Sequence, residues 1–161
     1  MSLLNTATAP TAAPGPSVAF GAPGMAPTWC SSAKDLVGCA LGPSRVWFTT
    51  GHGILNEVYW PRVDIPQIRD LGFIVADGAG FWVELKRHNV YRTRRPHAGT
   101  PALEIIHTHE RFELRLRITV DPLRDAVLID LRLDGDAALR PYALLAPVSY
   151  THLTLPTKRI V

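Results

Sequence analysis

Residues 112–120 read Phe-Glu-Leu-Arg-Leu-Arg-Ile-Thr-Val. Phe112, Leu114, Leu116, Ile118 and Val120 alternate with Glu113, Arg115, Arg117 and Thr119. In an extended chain successive side chains point to opposite faces, so one face is dry and the other wet. Asp121-Pro122-Leu123-Arg124-Asp125 follows, a turn sequence with proline where its fixed φ is tolerated. Val127, Ile129, Leu131 and Leu133 then resume the alternation, with Asp130 and Arg132 outward. The two runs predict an antiparallel hairpin.

Working outward, Val46–Thr50, Leu55–Tyr59, Leu71–Ala76, Phe81–Leu85, Val90–Thr93 and Leu103–His109 each have strand length and β-branched or aromatic content. Asp77-Gly78-Ala79-Gly80 punctuates two of them as a turn. Ser31–Asp35 is the one stretch that reads as a helix start. Short strands at regular spacing predict an all-β protein, an antiparallel β-sandwich rather than a barrel.

The 161 residues are 47% hydrophobic and 19% charged, enough apolar material for a core. Lys and Arg number 17 against 14 Asp and Glu, and two of the basic residues, Lys158 and Arg159, stand in the terminal tail. That surplus is too small and too scattered for a nucleic-acid footprint, so no nucleic-acid partner is expected. No apolar run approaches the roughly 18 residues of a spanning helix, and no membrane association is expected. Met1–Pro16 lacks the cationic and apolar regions of a secretory signal, which makes the cytoplasm the default expectation. Cys30 and Cys39 fit neither a disulfide framework nor a zinc site and read as incidental thiols. The Ala/Pro-rich stretch up to Pro27 reads as a loosely held leader, giving an expected division into residues 1–27, 28–147 and 148–161.

Ala26-Pro27-Thr28-Trp29, Ser31–Asp35, Ser44–Thr49 and above all Gly51-His52-Gly53-Ile54-Leu55-Asn56-Glu57-Val58-Tyr59-Trp60-Pro61-Arg62-Val63-Asp64 resemble the start of bacterial glucoamylases and glucodextranases, members of glycoside hydrolase family 15. The similarity continues through Arg69-Asp70-Leu71-Gly72 and Asp77-Gly78 to Leu144-Leu145-Ala146-Pro147. It implies an N-terminal β-sandwich of many strands, followed in the family by a linker and an α/α-barrel that holds the catalytic carboxylates. What is present resembles about the first half of that sandwich. The resemblance therefore implies a non-catalytic fragment of an α-glucan exo-hydrolase that releases glucose by inversion, with the C-terminal catalytic α/α-barrel as partner, α-glucan as the parent's substrate and no cofactor. Val148–Thr157 resembles an in-frame translation of a sequencing adapter and is excluded from the fold argument. The alternative reading is a self-standing carbohydrate-binding or interaction module with a surface aromatic platform.

Inverting glycosidases need a protonated and an ionised carboxyl group about 6.5–9.5 Å apart. Glu57, Asp64, Asp70 and Asp77 stand in turn or strand-end contexts that give them structural tasks, so no catalytic residue is assigned. Asn56, Glu57, Tyr59, Trp60 and Arg62 combine hydrogen-bonding groups with flat rings, the chemistry that holds sugars, and are the candidate substrate-binding residues. The competing reading packs the rings into the sandwich and pairs Glu57 with Arg62 or Arg69. Strand parity puts Leu55, Glu57 and Tyr59 on one face and Asn56, Val58 and Trp60 on the other. His107 and His109 share a strand face but have no third ligand, so they read as exposed or partly stacked histidines and no metal is expected. Lys86–Arg95 is basic around Tyr91, but alternation splits its charge between faces, and it reads as a solvated hairpin. Gly51-His52-Gly53 lacks the strand-to-helix context of a nucleotide loop.

Overall fold

The computed structural model describes residues 33–148, so the expected leader (1–27), Cys30, Ser31, Ser32 and all but Val148 of the expected tail (148–161) lie outside the described residues. Ten strands and one helical turn follow in order: β1 (Leu36–Cys39), β2 (Trp47–Gly51), β3 (Ile54–Tyr59), β4 (Pro66–Ala76), β5 (Trp82–Glu84), α1 (Leu85–His88), β6 (Tyr91–Arg94), β7 (Leu103–His109), β8 (Phe112–Val120), β9 (Val127–Gly135) and β10 (Arg140–Pro147). One sheet runs β1-β2-β3-β4-β10, with β5 also pairing β4, and the other runs β6-β7-β8-β9. Every described ladder is antiparallel. This is the all-β sandwich that the alternation predicts.

The core lies between the sheets. All five apolar residues of β8 are buried, and they meet Leu103 and Ile105 of β7 and Phe48, Leu55, Val58, Phe73 and Val75 of the other sheet. At roughly 1.5–3 kcal/mol for each large side chain removed from water, this layer is the main source of stability. Both predicted turns form. The Asp77 carboxylate accepts from the N–H groups of Ala79 (2.8 Å) and Phe81 (3.1 Å), and Asp121 accepts from those of Leu123 (2.8 Å) and Arg124 (2.9 Å). In each case the short side chain does the work of a backbone acceptor at the chain reversal.

Several elements differ from the sequence reading. β4 starts at Pro66, ahead of the expected Leu71, because pairing with β3 extends a stretch whose own composition is mixed. Residues 33–35 do not open a helix; they lead into β1. The expected Phe81–Leu85 strand ends at Glu84, and Leu85 begins α1, where it is fully buried. Asn89 closes that turn in the left-handed conformation, its N–H donating to the Leu85 carbonyl at 3.0 Å. Lys86–Arg95 is therefore a helical turn plus β6, which pairs with β7, not a solvated hairpin of its own. β10 was not evident from its sequence.

Two free edges have consequences. Among the described residues β1 and β10 bound the first sheet and β6 and β9 the second, and of these β9 and β10 carry exposed leucines. Leu145 opposes Leu71 on the core-facing side of β10 yet is 58% exposed, while Leu128 of β9 opposes Thr119 on the outer face and is 50% exposed. The sandwich is open along the β10 edge.

Candidate functional site

The His52–Asp64 segment begins in the β2–β3 hairpin, where His52 (φ 54°) and Gly53 (φ 71°) both adopt the left-handed conformation of a tight two-residue turn. The Gly53 carbonyl accepts from Nε2 of His107 at 2.7 Å. A Cβ on Gly53 would stand 2.4 Å from His107 Cε1, so glycine is required by contact as well as by φ. Beside it Tyr91 donates to Asp35 at 2.7 Å, and the Tyr91 and His107 rings lie 5.8 Å apart. The hairpin tip is thus pinned to the opposite sheet.

His107 is fully buried, which corrects the expectation of an exposed histidine. It faces inward with Leu103 and Ile105, and burial pushes its pKa down despite the opposing bond to Gly53. His109 fits the other half of that expectation: it is partly buried and stacks on Phe112 with centroids 4.9 Å apart. No group of metal-ligating side chains occurs among the described residues.

A bulge interrupts the alternation in β3. Thr49 opposes Glu57 and Thr50 opposes Leu55, so Asn56 is the extra residue. Leu55 and Val58 consequently both enter the core, and Leu55 does not share the face of Glu57 and Tyr59 as simple parity predicts. Asn56 is buried, donating Nδ2 to the Ala33 carbonyl at 3.3 Å. Glu57 lies on the outer face, where its carboxylate pairs with Lys34 at 3.0 Å and accepts from Tyr59 and, at 3.5 Å, from Thr49. Arg62 pairs with Asp64 in the β3–β4 loop. Glu57 thus pairs with Lys34, and Arg62, one of its two expected partners, pairs with Asp64 instead.

Trp60 goes elsewhere. Its Nε1 donates to Asp125 at 2.7 Å, and the Arg45 guanidinium sits 5.2 Å from the ring centroid. The bond from the Arg45 N–H, then that from Trp60, hold the Asp125 carboxyl down at about 2. Trp60, Gln67 and Asp125 border a cleft of about 360 Å³ between the sheets, floored by Leu55, Ile68 and Ile129. The five candidate residues therefore divide among a buried bulge, an outer face, a loop and the cleft mouth. Lys34, Thr49, Arg45 and Asp125 escaped the sequence reading, because their roles depend on partners brought in by folding.

The carboxylates are similarly occupied. Glu57, Asp64, Asp70 and Asp77 pair with Lys34, Arg62, Lys86 and Arg111 respectively. The Arg62 hydrogen bond lowers Asp64, and the Ala79 N–H lowers Asp77. A general acid needs the opposite shift, upward, to keep its proton. In the Lys86–Arg95 segment, Arg92 and Arg94 point outward to Glu113 and Glu104 while Tyr91 turns inward.

Comparison with known proteins gives a consistent result. Residues 19–152 match the family model described as glucodextranase, domain N. The glucoamylase of Clostridium sp. (strain G0005) is 26% identical over 130 residues, which is 78% of this chain and 18% of that protein. The crystal structure of a bacterial glucoamylase complexed with acarbose aligns with a TM-score of 0.71 at 26% identity, over 78% of this chain and 20% of that one. The chain spans about one fifth of the length of these relatives.

Proposed function

The chain belongs to the glucodextranase domain N family, and from that premise we propose that it is the non-catalytic N-terminal sandwich of an α-glucan exo-hydrolase of glucoamylase or glucodextranase type. The observation that carries this reading is the match in fold and sequence to a glucoamylase over most of this chain and a minor share of that one. In the proposed parent a separate α/α-barrel supplies the acid and base and inverts the anomeric centre as glucose leaves. The sandwich is the partner of that barrel, and residues 28–147 are its contribution here.

The chemistry of the carboxylates supports the non-catalytic role. Each of the four that the sequence singles out is held by a cation. The open side of the sandwich supports a larger parent, since free edges and exposed leucines are surfaces that further strands or a packed domain cover.

Two measurements test the proposal. Purified chain is expected to release no glucose from starch, maltose or dextran; turnover abolished by a point substitution within the chain would overturn the reading. The genomic DNA beyond the codon for Pro147 is expected to continue in frame into a helical barrel with paired glutamates. A stop codon there would instead favour a self-standing carbohydrate-binding module.

A further inference from the structure

The outer face of the first sheet carries an aromatic stripe that the sequence reading did not assemble. Cys39 opposes Trp47, Trp47 opposes Tyr59, and Tyr59 opposes Pro66, so these four side chains form one row across β1 to β4. Directly opposed residues share a face and lie close enough to interact. Trp47, a large ring, is 40% exposed. The adjacent row is Val37, Thr49 and Glu57. Tyr59 is fixed by its bond to Glu57, and Glu57 in turn by Lys34 and Thr49.

We propose that this face, with Trp47 and Tyr59 as the stacking rings and Lys34, Thr49 and Glu57 as the polar rim, is a binding site for an α-glucan chain. A pyranose presents an apolar C–H face and a rim of hydroxyls. The ring of Trp47 accepts the first; a carboxylate, an ammonium and a hydroxyl meet the second with both acceptors and donors. Charge favours a neutral ligand, because Lys34 and Glu57, paired at 3.0 Å, present both signs at the rim in place of a single-sign patch. The rings stand on two paired strands instead of a loop, and Tyr59 is anchored at its hydroxyl, so ordering them on binding costs little. The bulge at Asn56 is what creates the row: were Asn56 paired regularly with Thr49, Trp47 would oppose Val58, and Tyr59 would be out of register.

The choice of α-linked glucan rests on the proposed function; the stacking geometry does not. Native electrophoresis of the 161-residue chain through gels containing soluble starch, a β-1,3-glucan or no polysaccharide separates the two. Starch is expected to retard the chain and the β-glucan to leave it unretarded. Trp47→Ala should weaken retention roughly tenfold, the loss expected for one stacked ring, and Glu57→Gln should weaken it in a chain that circular dichroism shows to be folded. Leu123→Ala, an exposed position in the β8–β9 turn, should behave as wild type. Unretarded wild-type chain, or a folded Trp47→Ala variant that binds as tightly as wild type, would overturn the site, and equal retention by the β-glucan would overturn the choice of an α-glucan. A downstream barrel found with no starch retention would sink this site and leave the proposed function standing. Retention lost in Trp47→Ala with no such barrel would do the reverse.

Discussion

Gly53 and Gly78 offer a paired test of the pin between the sheets. Both have nearly the same left-handed backbone, φ 71° and 72°. A Cβ on Gly78 would meet nothing within 4 Å, whereas one on Gly53 would meet His107 Cε1 at 2.4 Å and Tyr91 Cδ1 at 3.0 Å. Alanine at either position costs about 1–2 kcal/mol for the left-handed conformation, offset by about 0.4–1 kcal/mol from a stiffer unfolded chain. Gly78→Ala should therefore lose about 1 kcal/mol. At Gly53 the methyl group must also drive the His107 ring from its 2.7 Å bond. That strands a buried N–H, which costs about 1–3 kcal/mol more.

A loss of about 2–4 kcal/mol is a large part of the roughly 5–15 kcal/mol that holds a domain together. For a domain of this size, at about 4 °C per kcal/mol, Gly53→Ala should melt roughly 8–16 °C below wild type and Gly78→Ala about 4 °C below. Calorimetry reads the difference, and the ¹⁵N shift of His107 Nε2 reports whether its hydrogen bond is broken. Equal melting temperatures for the two variants, with the His107 signal unmoved, would refute the pin.

Stability should also depend on His107 protonation. Burial, aided by the charge of His88, lowers its folded pKa below the ordinary value of about 6.5, so the unfolded chain binds the extra proton first and stability falls as pH drops from about 7 toward 5. His107→Gln should flatten that slope in urea melts, and an unchanged slope would count against the assignment. The exposed leucines on the free edges should make the chain self-associate. Sedimentation should show mass rising with concentration, less so in a Leu128→Lys/Leu145→Lys variant; a wild-type monomer throughout would show that the open side needs no cover.

How far the sequence reveals this fold depends on how local the determining contacts are. β7 and β8 coincide with the expected Leu103–His109 and Phe112–Val120: in β8 one buried face imposes alternation directly, and in β7, buried on both faces from Leu103 to His107, the apolar β-branched pair Ile105-Ile106 marks the strand. The Asp77 and Asp121 turns are also local, each closed by the aspartate's own side chain. β10 is different: Arg-Pro-Tyr-Ala-Leu-Leu-Ala-Pro has proline near both ends and no clean alternation, and its register comes from β4. His107 looks like any polar residue of a strand until Gly53 arrives from a hairpin 54 residues earlier. The same holds for Trp60, whose acceptor, Asp125, is 65 residues away.

The His52–Asp64 segment shows why residue types clustered in sequence need not form one site. Its glycine and histidine make the turn that the opposite sheet holds. Its bulge then sends Leu55 and Val58 together into the core and turns Glu57 and Tyr59 outward. Past the end of β3, Trp60 crosses to Asp125 at the cleft, leaving Arg62 to its neighbour Asp64. Four destinations within one short segment exclude a single sugar subsite built from Asn56, Glu57, Tyr59, Trp60 and Arg62 together. A ligand approaching the outer face meets Glu57 and Tyr59, and the ring beside them is Trp47, five residues before the segment begins. The binding surface is therefore a property of the β2–β3 register, and a substitution that removes the bulge should abolish it even if every named ring and carboxylate is kept.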